Sequence, residues 1–240
     1  MNTPHETRPP APDENHDSMQ VAWGCLASAP GTCVYLQDAN GAFLYANAQL
    51  SEVLFGAQGR DRDITGCGTH EVLPELLACE CDWRRETARR TGKPVLARLL
   101  WKGHQFQLWT TPVPPESPDE QLTYLTIARV VEGDLASLNS TDEIQESQFV
   151  SLGDLDVLSP GELEVLALLG QGLSAKEIAK VLGRSARTIE GRRAAIGHKL
   201  DINDRVTLAQ IAQRAGLTLR DASRERLSDD APKAPTPPAP

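Results

Sequence analysis

The feature that most constrains this chain is a pair of short helical patterns joined by only three residues, Gly183-Arg184-Ser185. Before the joint, Ser174 and Glu177 stand at the spacing of a capping box. Ile178, Ala179, Val181 and Leu182 then form an apolar face until Gly183 stops the helix. After the joint, Ser185 caps a second helix that turns Ile189, Ile196 and Leu200 inward. A similar pattern lies on either side. Ser159 and Glu162 form another capping box with Pro160 at the first helical position, followed by Leu163, Leu166, Ala167 and Leu169 and closed by Gly170 and Gly172. Downstream, Asn203 or Asp204 caps a fourth helix that buries Val206, Leu208, Ile211 and Ala212, and Gly216 ends it.

A supporting helix, a turn containing Gly and a following helix make a helix-turn-helix. Charge agrees with a nucleic-acid role. Residues 158–217 hold nine Lys and Arg against six Asp and Glu, a net charge of +3, whereas the whole chain carries −9 and the remainder therefore −12. Within the third helix, Arg187, Arg192, Arg193 and Lys199 outweigh Glu190. A basic helix inside an acidic protein is an electrostatic footprint for phosphate.

These residues resemble the LuxR-type (GerE-like) DNA-binding domain of bacterial transcription regulators. The resemblance rests on Leu158-Ser159-Pro160 with Glu162, on Gly172-Leu173-Ser174-Ala175-Lys176-Glu177-Ile178-Ala179, on Ser185-Ala186-Arg187-Thr188-Ile189-Glu190, and on Lys199-Leu200, Arg205 and Gly216-Leu217. It implies that the third helix lies in the major groove of double-stranded DNA. The expected contacts are Ser174, Lys176, Ser185, Arg187, Thr188, Glu190, Gly191, Arg192, Arg193 and Lys199. Arg192 and Arg193 are placed for base edges or phosphates, and Glu190 for a cytosine amine or an Arg. Thr188, Lys176 and Lys199 are placed for phosphates. The resemblance also implies a homodimer on DNA, paired through the fourth helix with Thr207, Gln210 and Arg214 as exposed candidates. One departure is Arg192, where the family usually has His. Gly191 is a second feature to weigh, since glycine costs about 1 kcal/mol in a helix interior.

At 240 residues with 40% hydrophobic content, two small domains are expected. No apolar run is long enough to cross a membrane, and the N-terminus lacks the layout of a secretion signal, so a cytoplasmic location is expected. Five cysteines favour reduced thiols over a disulfide framework. Residues 1–20 read as a disordered leader and residues 219–240 as a flexible Pro-rich tail.

Residues 21–132 alternate between strand and helix signals. Thr32 to Gln37 alternates as a strand, Asp38-Ala39-Asn40-Gly41 supplies a hairpin turn, and Ala42 to Ala46 returns. Asn47 then caps a helix carrying Leu50, Val53 and Leu54, and Asp82 is expected to cap a longer one through Arg90. Two strands pair across Lys102-Gly103, and a last strand runs from Leu122 to Val131. This order resembles a PAS sensor domain, with Asp38, Gly41 and Asn47 at the family's turn and cap places. A GAF-like or other small α/β sensor fits the same order. The expected architecture is α+β: a PAS-like mixed domain with an antiparallel sheet at 21–132, an acidic, partly helical linker at 133–156, and an all-α four-helix domain at 157–218.

The cofactor of such a sensor is not identified by its residues. The helix after Asp82 carries no His for haem, and Cys67 lies in Gly66-Cys67-Gly68-Thr69, not in a flavin-photoadduct motif. Cys67, His70, Cys79 and Cys81 have a spacing compatible with zinc or an iron–sulfur cluster, although small buried thiols with a surface His explain it more simply. A thiol redox sensor is an intermediate reading, since Arg84 and Arg85 could lower a neighbouring thiol pKa. No phosphate loop, nucleophile elbow or HExxH motif points to an enzyme, and the Asp layout of a phosphate-accepting receiver is absent. The expected function is thus a transcription regulator whose PAS-like domain takes a small-molecule or protein ligand. The alternative is a PAS-type interaction or redox module acting through a protein partner. Communication could run by masking the basic helix or by setting dimer geometry through residues 133–156.

Overall fold

The computed structural model describes residues 12–115, 117, 121–133, 143–202 and 204–227. Its described residues form one seven-stranded sheet and two groups of helices. The first helix, α1 (Pro12–Ser28), leads into β1 (Thr32–Gln37), β2 (Phe43–Ala46), α2 (Ala48–Phe55), α3 (Thr69–Val72) and α4 (Glu75–Thr91). Strands β3 (Val95–Trp101), β4 (His104–Val113) and β5 (Thr123–Val130) follow. This is the element order that the PAS resemblance implies. The strands stand in the order β2-β1-β5-β4-β3, all neighbours antiparallel.

Local chemistry explains these elements. Asp38 Oδ1 accepts from the amides of Asn40 and Ala42, closing the turn between β1 and β2. Asn47 caps α2 by accepting from the Leu50 amide, and the same oxygen accepts from Val34 on β1. Its side-chain amide donates to Ala27 and Thr32, so one residue ties α1, β1 and α2 together. Lys102 and Gly103 join β3 to β4, both with positive φ as a tight hairpin turn requires.

Two expectations change in this half. Asp82 does not cap a helix: α4 begins at Glu75, and Asp82 sits inside it, paired with Arg85 and His70. Residues 12–20, read as leader, belong to α1, which is held further along by Trp23 packed at a tilt on Tyr45, ring centroids 5.5 Å apart. Residues 1–11 lie outside the described residues.

The C-terminal helices fall where their caps place them. They are α5 (Pro160–Gly170), α6 (Ala175–Leu182), α7 (Ala186–Leu200) and α8 (Arg205–Arg214). Leu163, Leu166, Ile178, Ile189, Ile196 and Leu208 are buried in one core. Helices α5 and α8 cross closely at Gly170, where a Cβ would stand 2.7 Å from that of Ala212. Asp204, not Asn203, caps α8 by accepting from the Thr207 amide; Asn203 lies outside the described residues.

The join between the halves departs most from expectation. Within residues 133–156, the described part contains strand β6 (Gln145–Val150) and a 3₁₀ turn at Gly153–Val157 rather than a partly helical, flexible connector. Strand β6 pairs in parallel with β3, and after the helices the chain returns as β7 (Glu225–Arg226), parallel to β6. The five strands within residues 21–132 are antiparallel, as expected; β6 and β7, outside that range, make the whole sheet mixed, and the four helices are an insertion between β6 and the edge strand β7. Residues 219–227, read as flexible tail, are part of this seam, whereas 228–240 lie outside the described residues. β6 escapes sequence reading because Gln145-Glu146-Ser147-Gln148 is polar and Val150 is its only buried apolar residue. Its formation depends on the open edge of β3, far away in sequence.

The seam is locked by buried charge. Arg98 on β3 is 2% exposed and donates to both oxygens of Asp221, to Glu146, to Gln105 and to the Gly216 carbonyl. Arg224 bridges Asp221 and Glu146 at 2.7 Å each. Burial alone would raise the Asp221 carboxyl pKa, but the Arg98 guanidinium outweighs it and holds the carboxyl below the usual range. Among the described residues no helix is long and apolar enough to cross a membrane.

Removing one partner from a buried network leaves an uncompensated charge. Asp221→Ala is therefore expected to lower stability by about 3–5 kcal/mol in urea unfolding of the full chain. Because the folded-state pKa of Asp221 is depressed, its contribution is present above the unfolded value of about 4 and disappears as pH falls through the folded value. Asp221→Asn should flatten the loss of stability on acidification in that range; an unchanged acid limb would place the pH dependence elsewhere.

Candidate nucleic-acid interface

Helices α6 and α7 meet at Gly183, whose φ of 61° puts it in the left-handed region that glycine adopts without strain. The caps on either side consume hydroxyls named as contacts. Ser174 Oγ bonds Glu177 and receives its amide, Ser185 Oγ receives the Thr188 amide, and the Ser185 and Thr188 hydroxyls stand 2.8 Å apart. These three residues therefore set the geometry of the helix ends, and their reach to phosphate competes with capping.

The basic residues divide into two groups. Lys176 and Arg187 are exposed and make no ion pair among the described residues, and the same holds for Lys180 and for Arg184 in the turn itself. Lys180 and Arg184 were not among the expected contacts, although the position of Arg184 inside the connection was visible in the sequence. The other group is tied down. Arg192 donates to the Gly161 carbonyl at 3.0 Å and pairs with Glu164 at 3.5 Å, so it points back at the start of α5 rather than outward. Arg193 pairs with Glu190 at 2.9 Å. Lys199 donates to Glu162 at 2.7 Å and to the Val157 carbonyl at 3.1 Å. Gly191 lies on the exposed face, and a Cβ there would meet only open space.

The Glu162–Lys199 pair is part of the α5 cap. Glu162 also accepts from the amide and hydroxyl of Ser159. Burial works against its charge, but Lys199 and Ser159 together hold the carboxyl below the usual range. On α8, Thr207 is exposed, with its amide and hydroxyl bonded to Asp204, and Gln210 is exposed beside Val206. Arg214 is separated from them. It sits at the far end of α8, in grooves lined by Lys102, His104 and Glu132 of the sheet.

The candidate metal ligands are not brought together. On a helix, residues 79 and 81 point about 200° apart. Accordingly Cys79 is exposed, near Glu75, while Cys81 is buried and accepts from Arg84 at 3.0 Å. Cys67 is buried in the core, and His70 is occupied by Glu75 at 2.9 Å and Asp82 at 2.8 Å. Among the described residues no group of three or more His, Cys, Asp or Glu could hold a metal ion. The redox reading weakens as well. Burial, with Glu52 adding to it, pushes the Cys33 thiol up to about 12, and burial followed by Glu71 and Asp63 raises Cys67, the direction opposite to thiol activation. Arg85 is engaged with Asp82, Gln37 and Thr69.

Between the sheet and helices α2 and α4 lies a cavity of about 60 Å³. Its walls are mostly apolar, including Leu50, Leu77, Leu99, Trp101 and Phe106, and Arg84 is its charged group. Burial is the main reason that the Tyr35 hydroxyl, also on the wall, is pushed up to about 12.

Taken together, an exposed, basic, capped helix pair beside a small sheet with an internal cavity defines the helix-turn-helix class of proteins. Residues 156–212 match the family described as bacterial regulatory proteins, luxR family (GerE), and this segment is a LuxR-family helix-turn-helix domain. The chain is 33% identical over 103 residues to the transcriptional regulatory protein TdiR of Thauera aromatica, covering 42% of this chain and 45% of that protein. It is 32% identical over 110 residues to the oxygen regulatory protein NreC of Staphylococcus haemolyticus, covering 42% of this chain and 50% of that protein. The chain thus spans about half the length of the curated relatives it matches. A solved Vibrio cholera VqmA–ligand–DNA complex is similar with a TM-score of 0.48 at 21% identity, over 88% of this chain and 97% of that one.

The ties of Lys199 lead to a measurable outcome. Lys199→Ala is expected to cost about 1–2 kcal/mol of stability, the scale of a charged hydrogen bond discounted for its partly exposed partner. It should also change the salt dependence of duplex binding by less than one phosphate contact. A full-contact change with unaltered thermal stability would instead make Lys199 a phosphate ligand.

Proposed function

We propose that this chain is a DNA-binding transcription regulator without catalytic activity, in which α6 and α7 dock in the major groove and the PAS-like half governs them. The observation that carries this reading is the cluster Lys176, Lys180, Arg184 and Arg187, exposed around the α6–α7 turn inside the segment that matches the luxR family. The relatives named as regulatory proteins support it. Residues 176–187 supply phosphate contacts. Glu190, Gly191 and Arg193 lie further along the same helix for base edges, with Arg193 leaving Glu190 to do so. Arg192 reaches DNA only by giving up Gly161 and Glu164.

Two protomers on paired half-sites fit the small surface of one such domain. Thr207 and Gln210, with the exposed Val206 beside them, are the proposed pairing surface on α8, while Arg214 faces the seam. Among the described residues, α7 packs against α5, α6 and the 3₁₀ turn, and its outer face is open. Control by the sensor half thus acts through placement of the helices rather than by covering them, and a small ligand of the cavity or a protein partner supplies the signal.

Binding of the full chain to duplex DNA, titrated with salt, tests the reading. Affinity should fall steeply with salt as counterions are released, and Lys176→Ala or Arg187→Ala should each reduce the slope by about one while leaving thermal stability unchanged. Salt-independent binding, or slopes unmoved in both variants, would overturn it.

A further inference from the structure

Arg84 stands at a junction between the two halves. Its side chain is 4% exposed and lines the internal cavity, yet it also lines a groove of about 370 Å³ between α4 and β6. Among the described residues its one hydrogen bond goes to Cys81 Sγ, and its Nη1 lies 3.8 Å from Glu80 Oε2. That carboxylate oxygen is itself buried without a hydrogen-bond partner. The other oxygen of Glu80 reaches the next layer: it accepts from the Gln148 amide at 2.8 Å and from Ser147 Oγ at 3.1 Å, both on β6. One residue earlier, Glu146 holds Arg98 and Arg224 in the network that locks Asp221 beneath the helices.

We propose that the Arg84–Glu80 pair is a switch that sets how firmly β6, and with it the helical domain, is docked on the sheet, and that its input is a small acceptor molecule in the cavity. The inference rests on the sensor role proposed above. The ligand class follows from the walls: a compact molecule of few heavy atoms, apolar apart from a carbonyl or carboxylate oxygen that accepts from Arg84. When Arg84 turns to such an acceptor, the buried Oε2 of the partly exposed Glu80 loses its compensating charge. A buried carboxylate with no counterion is strongly disfavoured. Glu80 is relieved by swinging to water, which withdraws its oxygen from Gln148 and Ser147 and frees the strand that carries Glu146. The coupling is carried by named contacts between two arrangements of one carboxylate, not by distance alone.

Amide hydrogen exchange on the full chain tests this without DNA, so its outcome is independent of whether the helices bind duplex. Arg84→Met removes the compensating charge and should accelerate exchange at the Gln148, Ser151 and Leu227 amides roughly tenfold, leaving the β4–β5 amides unchanged. Glu80→Gln keeps an acceptor for β6 but needs no counterion. The double variant Arg84→Met/Glu80→Gln should therefore return those amides to the wild-type rate, a rescue that loss of packing at Arg84 would not show. If the single Arg84 variant fails to fold, the double variant should fold. Unchanged β6 exchange in Arg84→Met, or no rescue in the double variant, overturns the proposal. Acetate serves as the probe of the input. Saturating acetate should accelerate the same amides in the wild type and not in the double variant; equal effects on both, or none on either, would overturn the assigned ligand class.

Discussion

The guanidinium of Arg98 is the interaction on which the arrangement of this molecule depends. A charge 2% exposed in the middle of a strand survives only if its partners surround it. Those partners come from widely separated parts of the chain: Gln105 on β4, Glu146 on β6, and Gly216 and Asp221 beyond the last long helix. Meeting them forces the connector to lie along β3 and the chain after α8 to return beside it. Apolar packing follows the same line, since Leu100 and Val150 of the sheet share one core with Leu155, Leu163 and Leu166 of the helical half. The helix-turn-helix is consequently held at both ends by one sheet. Its position is set by the sheet rather than by a tether.

The basic residues of α6, α7 and the turn between them fall into two environments. Around the α6–α7 turn the cations are exposed, and the Glu177 carboxylate beside them is spent on the Ser174 cap. Further along α7, Arg192 and Lys199 stand over α5, whose Glu162 and Glu164 attract them inward. In the proposed docking on DNA, the first group would meet a duplex at little cost, since it has no ion pair to give up among the described residues. In the same docking the second group would have to exchange its partners Glu164 and Glu162 for phosphate, which would reduce its net contribution. Charge counted along the sequence cannot separate these groups, since both read as basic residues at helical spacing.

Much of the local structure was legible because it is encoded within a few residues. Ser159 with Glu162, Ser174 with Glu177, Ser185 with Thr188, and Asn47 with Leu50 each satisfy helix-end amides that have no other partner. Gly183 marks a conformation that other residues resist, and the Lys102-Gly103 turn announces its hairpin. Less was legible where short-range signals mislead. Asp82 looked like a cap because Asp is a favoured cap residue ahead of a helical stretch, but α4 already runs through it, and its carboxylate serves Arg85 and His70. Cys79 and Cys81 looked like a ligand pair because they are close in sequence, yet the helix turns them to opposite sides.

The sequence by itself determined the helix ends, the tight turns and the alternation of apolar residues, and with them the two kinds of architecture and the LuxR-like segment. These depend on hydrogen bonds and sterics that span at most one turn of chain. Only the tertiary structure decided that Gln145-Glu146-Ser147-Gln148 is a strand, that Glu225-Arg226 pairs beside it, and which cations of α7 are free. Those outcomes turn on the open edge of β3 and on carboxylates brought close by folding. A polar segment has no strong preference of its own, so the partner waiting for it determines what it becomes.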